Sequence, residues 1–174
     1  MGSAPGIGAG MGPGPMAHGH MMGGGPMGAP MLAASAQSAS GSAPLSADAK
    51  AALLRAIEEE YRAQALYGSV VSKLGARSPF QQITRAERRH AWVLESLALA
   101  HGVDLPTNAS STAKQPELAS VAAACRAGVE SEKKTIALYD DLLKTDVPQD
   151  LRHAFEHLRA ASAQRHLPAF ETCR

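Results

Sequence analysis

From Leu45 onward apolar side chains recur every three to four positions, and no stretch alternates β-branched with polar residues, so the pattern predicts an all-helical body. Four segments are expected. The first opens behind Ser46, a residue suited to capping, runs through Ala51, Ala52, Leu53 and Leu54 to Leu74, and stops at Gly75. The second opens at Pro79 and runs to about His101, with Gly102 as its stop. A third is predicted from Pro116 to about Thr145, and a fourth from Pro148 toward the C-terminus, disturbed by Pro168. Short links make the first and second segments one antiparallel hairpin and the third and fourth another. The connection between the hairpins, residues 103 to 115, is rich in Pro, Thr, Asn and Ser. At roughly 3.3 Å per residue it could span about 40 Å, the length of a bundle, which is the connectivity of two hairpins joined by one long crossover.

Acidic residues interrupt the apolar stripes at matched places. At about 100° per residue, Glu60 lies at the centre of the stripe Leu53, Ala56, Ile57, Tyr67, Val71 and Leu74, while Glu58 and Glu59 point elsewhere. Glu132 sits among Val121, Cys125, Val129, Ile136, Tyr139 and Leu143 on the third helix, with Glu130 facing outward. Glu87 and His90, at i and i+3, share a face with Ile83, Ala86, Leu94 and Leu97, and His166 shares one with Leu151, Phe155, Ala163 and Phe170. An internal repeat underlies this. Glu60 and Glu132 each stand seven residues before a tyrosine, Tyr67 and Tyr139, and the run Ala86 to His90 is echoed by Ser162 to His166, which keeps the His and loses the Glu. The tyrosines are expected to pack and to hydrogen-bond the carboxylates.

Three carboxylates and two imidazoles aimed at one core need a cation, because an unpaired buried carboxylate costs several kcal/mol or takes up a proton. Oxygen donors with imidazole nitrogens suit iron, manganese or zinc, and two metals bridged by Glu answer this many carboxylates. The competing expectation is a purely structural or vestigial polar core in which Arg159 neutralises the glutamates. His153 and His157 are expected on the solvated face of the fourth helix, and His101 as a partner of the second helix's C-terminus rather than a ligand.

The pattern Glu60, Glu87-x-x-His90, Glu132 and x-x-x-His166 resembles the ferritin-like di-iron carboxylate proteins, and the runs Leu53 to Tyr67 and His166 to Phe170 are most similar to a bacterial ferritin-like domain family of unknown function. The resemblance covers about residues 46 to 172. It implies a ferritin-like four-helix bundle in which Glu60 and His90 hold one metal, Glu87 and Glu132 bridge, and His166 holds the second. Ala163 stands where the full pattern has a fourth Glu, so the second metal position is expected to be the weaker one. Handling or oxidation of iron is the function implied.

Composition divides the chain in two. Residues 1 to 47 contain no Asp, Glu, Lys or Arg, and the first 50 hold 12 of the 16 glycines, all seven methionines and no aromatic residue. A segment so poor in buriable surface is expected to be a disordered arm, residues 1–45, attached to the bundle at 46–174. Its Met11, Met16, His18, His20, Met21, Met22, Met27 and Met31 offer thioether and imidazole groups suited to copper(I). That gives a second function class, a copper-binding arm on a helical scaffold; a structural bundle with a relic site is the third. A net charge of +1 with scattered Lys and Arg argues against nucleic acid and anionic membranes, and no run approaches a membrane-spanning length. Metal ions are therefore the expected partners, with a homodimer among the assemblies allowed. A periplasmic or secreted location is expected, the cytoplasm staying open. Cys125 and Cys173 fall near one end of the second hairpin, where either one bridge or two free thiols fit.

Overall fold

The computed structural model describes residues 44–76, 78–106 and 115–173; the N-terminal arm and its Met/His copper reading lie outside them. The described residues are helical, with no strand among them. The first helix, α1 (Ala47–Leu74), begins where the Ser46 side chain accepts a hydrogen bond from the Ala49 N–H at 3.1 Å, and ends where Gly75 takes φ 64°, a left-handed cap that favours glycine. Helix α2 (Phe80–Ala100) comes next and ends at a second left-handed glycine, Gly102.

Helix α3 (Val121–Leu142) starts later than Pro116, because Ser120 supplies the cap: its hydroxyl accepts from the Ala123 N–H at 3.2 Å. It also ends earlier than Thr145, and Arg152 donates to the Leu143 and Thr145 carbonyls, closing the hairpin to α4 (Gln149–Ala161). A single π-helical turn, Ser162–His166, then leads into α5 (Leu167–Glu171). Pro168 explains the widening. It has no N–H for the Gln164 carbonyl, and just ahead of it the ladder shifts register so that the Leu167 N–H donates to the Ser162 carbonyl, five residues back.

Two apolar clusters fix the direction of each helix. One joins Leu53 and Ile57 of α1, Leu94 and Ala98 of α2, Tyr139 and Leu142 of α3, and Leu151 and Phe155 of α4. The other joins Leu66 and Val70, Phe80 and Ile83, Ala124 and Cys125, and Phe170 of α5. The late part of α1 thus meets the early parts of α2 and α3, so α2 and α3 run parallel to each other and antiparallel to α1. The link from 101 to 120 has its two ends at opposite ends of the bundle.

On α3 the buried face carries small and polar residues, Ala124, Gly128, Ser131 and Thr135, beside Cys125, Glu132, Tyr139 and Leu142, with Val121, Val129, Ile136 and Leu143 only half-buried at its flanks. Gly128 explains part of this. A Cβ there would lie 2.5–2.7 Å from the Phe170 ring, which is itself wedged against Tyr67 and Phe80 at centroid distances of 4.9 and 5.2 Å. Gly128→Ala is expected to destabilise the fold by about 1–3 kcal/mol through overpacking. Urea unfolding would check this, and a midpoint equal to that of the parent would show that Phe170 has room to move.

Cys125 and Cys173 are joined by a disulfide, with Cα atoms 5.6 Å apart. The bridge ties the first turn of α3 to the residues just past α5.

Candidate metal centre

Between the two apolar clusters lies a polar layer made by Glu60 of α1, Glu87 and His90 of α2, Glu132 of α3 and His166 of the π turn. All five residues singled out in the sequence meet here. Glu60, Glu87, Glu132 and His166 are buried, and His90 keeps a side-chain exposure of 14%. Glu87 is the centre. One of its oxygens lies 2.8 Å from His90 Nδ1 and the other 3.0 Å from His166 Nδ1. Glu60 reaches His90 Nδ1 at 3.3 Å, Glu132 reaches His166 Nδ1 at 3.6 Å, and the two imidazoles stack at 5.5 Å.

The ligand-type atoms form two groups, Glu60–Glu87–His90 and Glu87–Glu132–His166, each with its atoms within 4.8 Å of one another. Glu87 belongs to both. Glu132, for which the resemblance implies a bridging role, belongs to the His166 group alone. Among the described residues, two buried atoms, Glu132 Oε2 and His166 Nδ1, have no hydrogen-bond partner. The His166 nitrogen is close to two carboxylates but aligned with neither, an arrangement that fits a cation shared among them better than a proton held between two.

The tyrosines act reciprocally. Tyr67 of α1 donates to Glu132 of α3 at 2.6 Å, and Tyr139 of α3 donates to Glu60 of α1. The seven-residue spacing of the repeat, read in an antiparallel pair, sets each tyrosine level with the other helix's glutamate. Each carboxylate therefore has one oxygen held by a phenol and the other facing an imidazole.

Burial dominates the electrostatics. Desolvation pushes the Glu60 carboxyl up to about 8, against the His90 hydrogen bond that lowers it. Glu87 is also buried, yet the His166 and His90 imidazoles hold it down at about 2. Burial would depress the imidazoles, but Glu60 and Glu87 raise His90 to about 9, and Glu132 and Glu87 raise His166 to about 10. Burial lifts the Tyr67 and Tyr139 phenols well above their ordinary range, the carboxylates adding to it, which keeps both as donors.

Several expectations change. Arg159 pairs with Asp140 at the surface and does not enter the layer. Glu59, read as pointing away, is half-buried against α3, where it takes hydrogen bonds from Arg62 and Thr135 while Arg62 also reaches Ser131. The widened turn alters the position of the missing Glu. In α-helical spacing Ala163 would sit one turn before His166, but in the π turn the buried residue one turn back is Ser162, and Ala163 is half-buried to one side. His101 faces Asp150 at 2.8 Å, joining the end of α2 to the start of α4, and His153 and His157 are exposed.

No protein-family model matches this chain, and no curated protein matches it. Among solved structures it is similar to a hypothetical protein from Methanococcus jannaschii, with 24% identity, a TM-score of 0.65, and 73% of this chain and 79% of that one covered. That likeness speaks to the all-helical fold alone. No described helix is long and apolar enough to cross a membrane.

Proposed function

We propose that the chain is a ferritin-like metal protein whose polar layer binds two metal ions, iron in first place with manganese or zinc as alternatives. The reading is carried by one observation: Glu87 offers one oxygen to each of two Glu/His groups, while Glu132 Oε2 and His166 Nδ1 lie buried without a hydrogen-bond partner. Glu60 and His90 would hold one ion, Glu132 and His166 the other, with Glu87 between them. A bound pair of irons would supply Lewis acidity and one-electron redox chemistry at this place. Tyr67 and Tyr139 orient the outer carboxylates, as hydrogen-bonding partners of ligands generally do. The disulfide favours an oxidising compartment, in keeping with a periplasmic or secreted protein.

The metal-free layer has its own charge balance, and this supports a second reading as a structural ionic core. At neutral pH Glu60 keeps its proton and both imidazoles are charged beside Glu87. Metal binding must then expel protons at pH 7, from Glu60 and from the imidazoles, so affinity rises with pH until these groups have titrated, toward pH 10. Metal-free stability has the opposite slope. The share from His90 and His166 is complete below pH 6.5 and is lost as pH rises through 9 to 10; the preference for protonated Glu60 fades from 4.5 to 8; only the Glu87 share is lost toward acid, between 4.5 and 2.

Anaerobic ferrous loading, with elemental analysis and calorimetry in buffers of different ionisation enthalpy, tests the proposal. Close to two ions per chain with proton release supports it. Failure to retain iron, manganese or zinc leaves the structural reading.

A further inference from the structure

The polar layer can be approached through a cavity of about 400 Å³ between α2 and the rod made by α4, the π turn and α5. His90 and His166 line it. Apart from Ser78, Pro79 and Gln82 around the start of α2, its remaining lining has two characters. Ile83, Ala86, Ala161 and Ala169 give apolar walls of mostly small side chains, and Arg89 and Arg165, both exposed, bring two guanidinium groups. No carboxylate of the described residues lines the cavity. Arg55, Arg62 and Arg159 are each paired with an acidic residue, whereas Arg89 and Arg165 have no hydrogen-bond or ion-pair partner among the described residues.

The placement repeats in the sequence. Each arginine immediately precedes a histidine of the layer, Arg89-His90 on α2 and Arg165-His166 on the π turn, so the echo between the two hairpins that loses the Glu retains the Arg-His pair. Two elements from different hairpins thus bring a cation to one cavity, each beside the imidazole it delivers to the interior. Guanidinium groups recognise carboxylates and phosphates through charge-assisted hydrogen bonds. The alanine walls decide between these: an inorganic oxyanion makes no use of them, whereas a carbon chain covers them.

We propose that this cavity binds a small organic carboxylate, its acid group held by Arg89 and Arg165 and its carbon body lying along Ile83, Ala86, Ala161 and Ala169 toward His90 and His166. Such a molecule is the ligand class of the polar layer. Its binding depends on the guanidinium pair and the apolar walls, and only its chemistry once bound rests on the metal reading.

Calorimetric titration of the full chain with hexanoate, hexanamide and inorganic phosphate tests it, in metal-free and metal-loaded samples. Hexanoate should bind one per chain, with hexanamide and phosphate each at least about tenfold weaker, since hydrogen bonds to a charged group carry that much discrimination. The double variant Arg89→Gln/Arg165→Gln should weaken hexanoate by about tenfold or more while keeping its helical circular dichroism and metal content, and Arg88→Gln, outside the cavity, should leave binding unchanged. Equal binding of hexanamide or phosphate, an unaffected double variant, or no hexanoate binding would each overturn the proposal. Hexanoate binding of the expected kind in protein that takes up no metal would remove the metal reading and leave this one standing; metal uptake without hexanoate binding would do the reverse.

Discussion

Glu87→Gln should bind the two metal ions proposed for the layer at least about 100-fold more weakly than the parent, because outer partners of a metal ligand are already worth 10- to 100-fold and, among the described residues, Glu87 is the one group within reach of both imidazoles. Glutamine keeps the volume and removes the charge, so the comparison does not depend on repacking. Glu87→Ala adds a separate penalty of roughly 3–5 kcal/mol in the metal-free protein, where His90 and His166 would lose the carboxylate between them. Glu58, exposed on the outer face of α1, is the control. Equal metal content in Glu87→Gln and Glu58→Ala, measured on folded protein, would remove Glu87 from the centre.

The second large effect concerns the disulfide. Cys125 and Cys173 are 48 positions apart, and cross-linking a loop of that length removes about 4 kcal/mol of chain entropy from the unfolded state. The double variant Cys125→Ala/Cys173→Ala should therefore melt about 10 °C lower, as a domain of this size shifts by a few degrees per kcal/mol. A differential scan with and without reductant measures the same quantity on the parent. A change of less than about 2 °C in both would mean that the unfolded chain gains little freedom when the bridge is opened.

The parts of this molecule that a sequence announces are those decided locally. Ser46, Gly75 and Gly102 act within a few residues of themselves, and they mark the ends of α1 and α2. The five polar residues were legible for the same reason, since each needs only its own helix's period to be placed on an inner face. What escaped depends on partners far along the chain. That the tyrosines hydrogen-bond carboxylates was expected, but which one each serves, Tyr67 with Glu132 and Tyr139 with Glu60, is set only by α1 and α3 pairing at one antiparallel register. Glu59 looks outward on α1 alone but lies against Thr135 once α3 is beside it. Arg159 found a surface aspartate in place of the core. The π turn is intermediate: Pro168 was visible as a disturbance, yet the way the ladder absorbs it, by widening one turn ahead, moves the residue behind His166 from Ala163 to Ser162. The cavity beside the layer depends on the gap between two hairpins, which no single stripe records.

The two ligand groups divide unequally between the hairpins. Glu60, Glu87 and His90 all come from α1 and α2, whereas the second group draws Glu87 from the first hairpin and Glu132 and His166 from the other. An ion in the first group would survive in any partly opened form that keeps the first hairpin, so it stabilises that form and the native state alike. An ion in the second group would be a clasp: it would leave as the hairpins separate, and its binding energy would oppose that separation. Amide exchange in α3 and α4 should then slow on filling the second position, and hardly respond to filling the first.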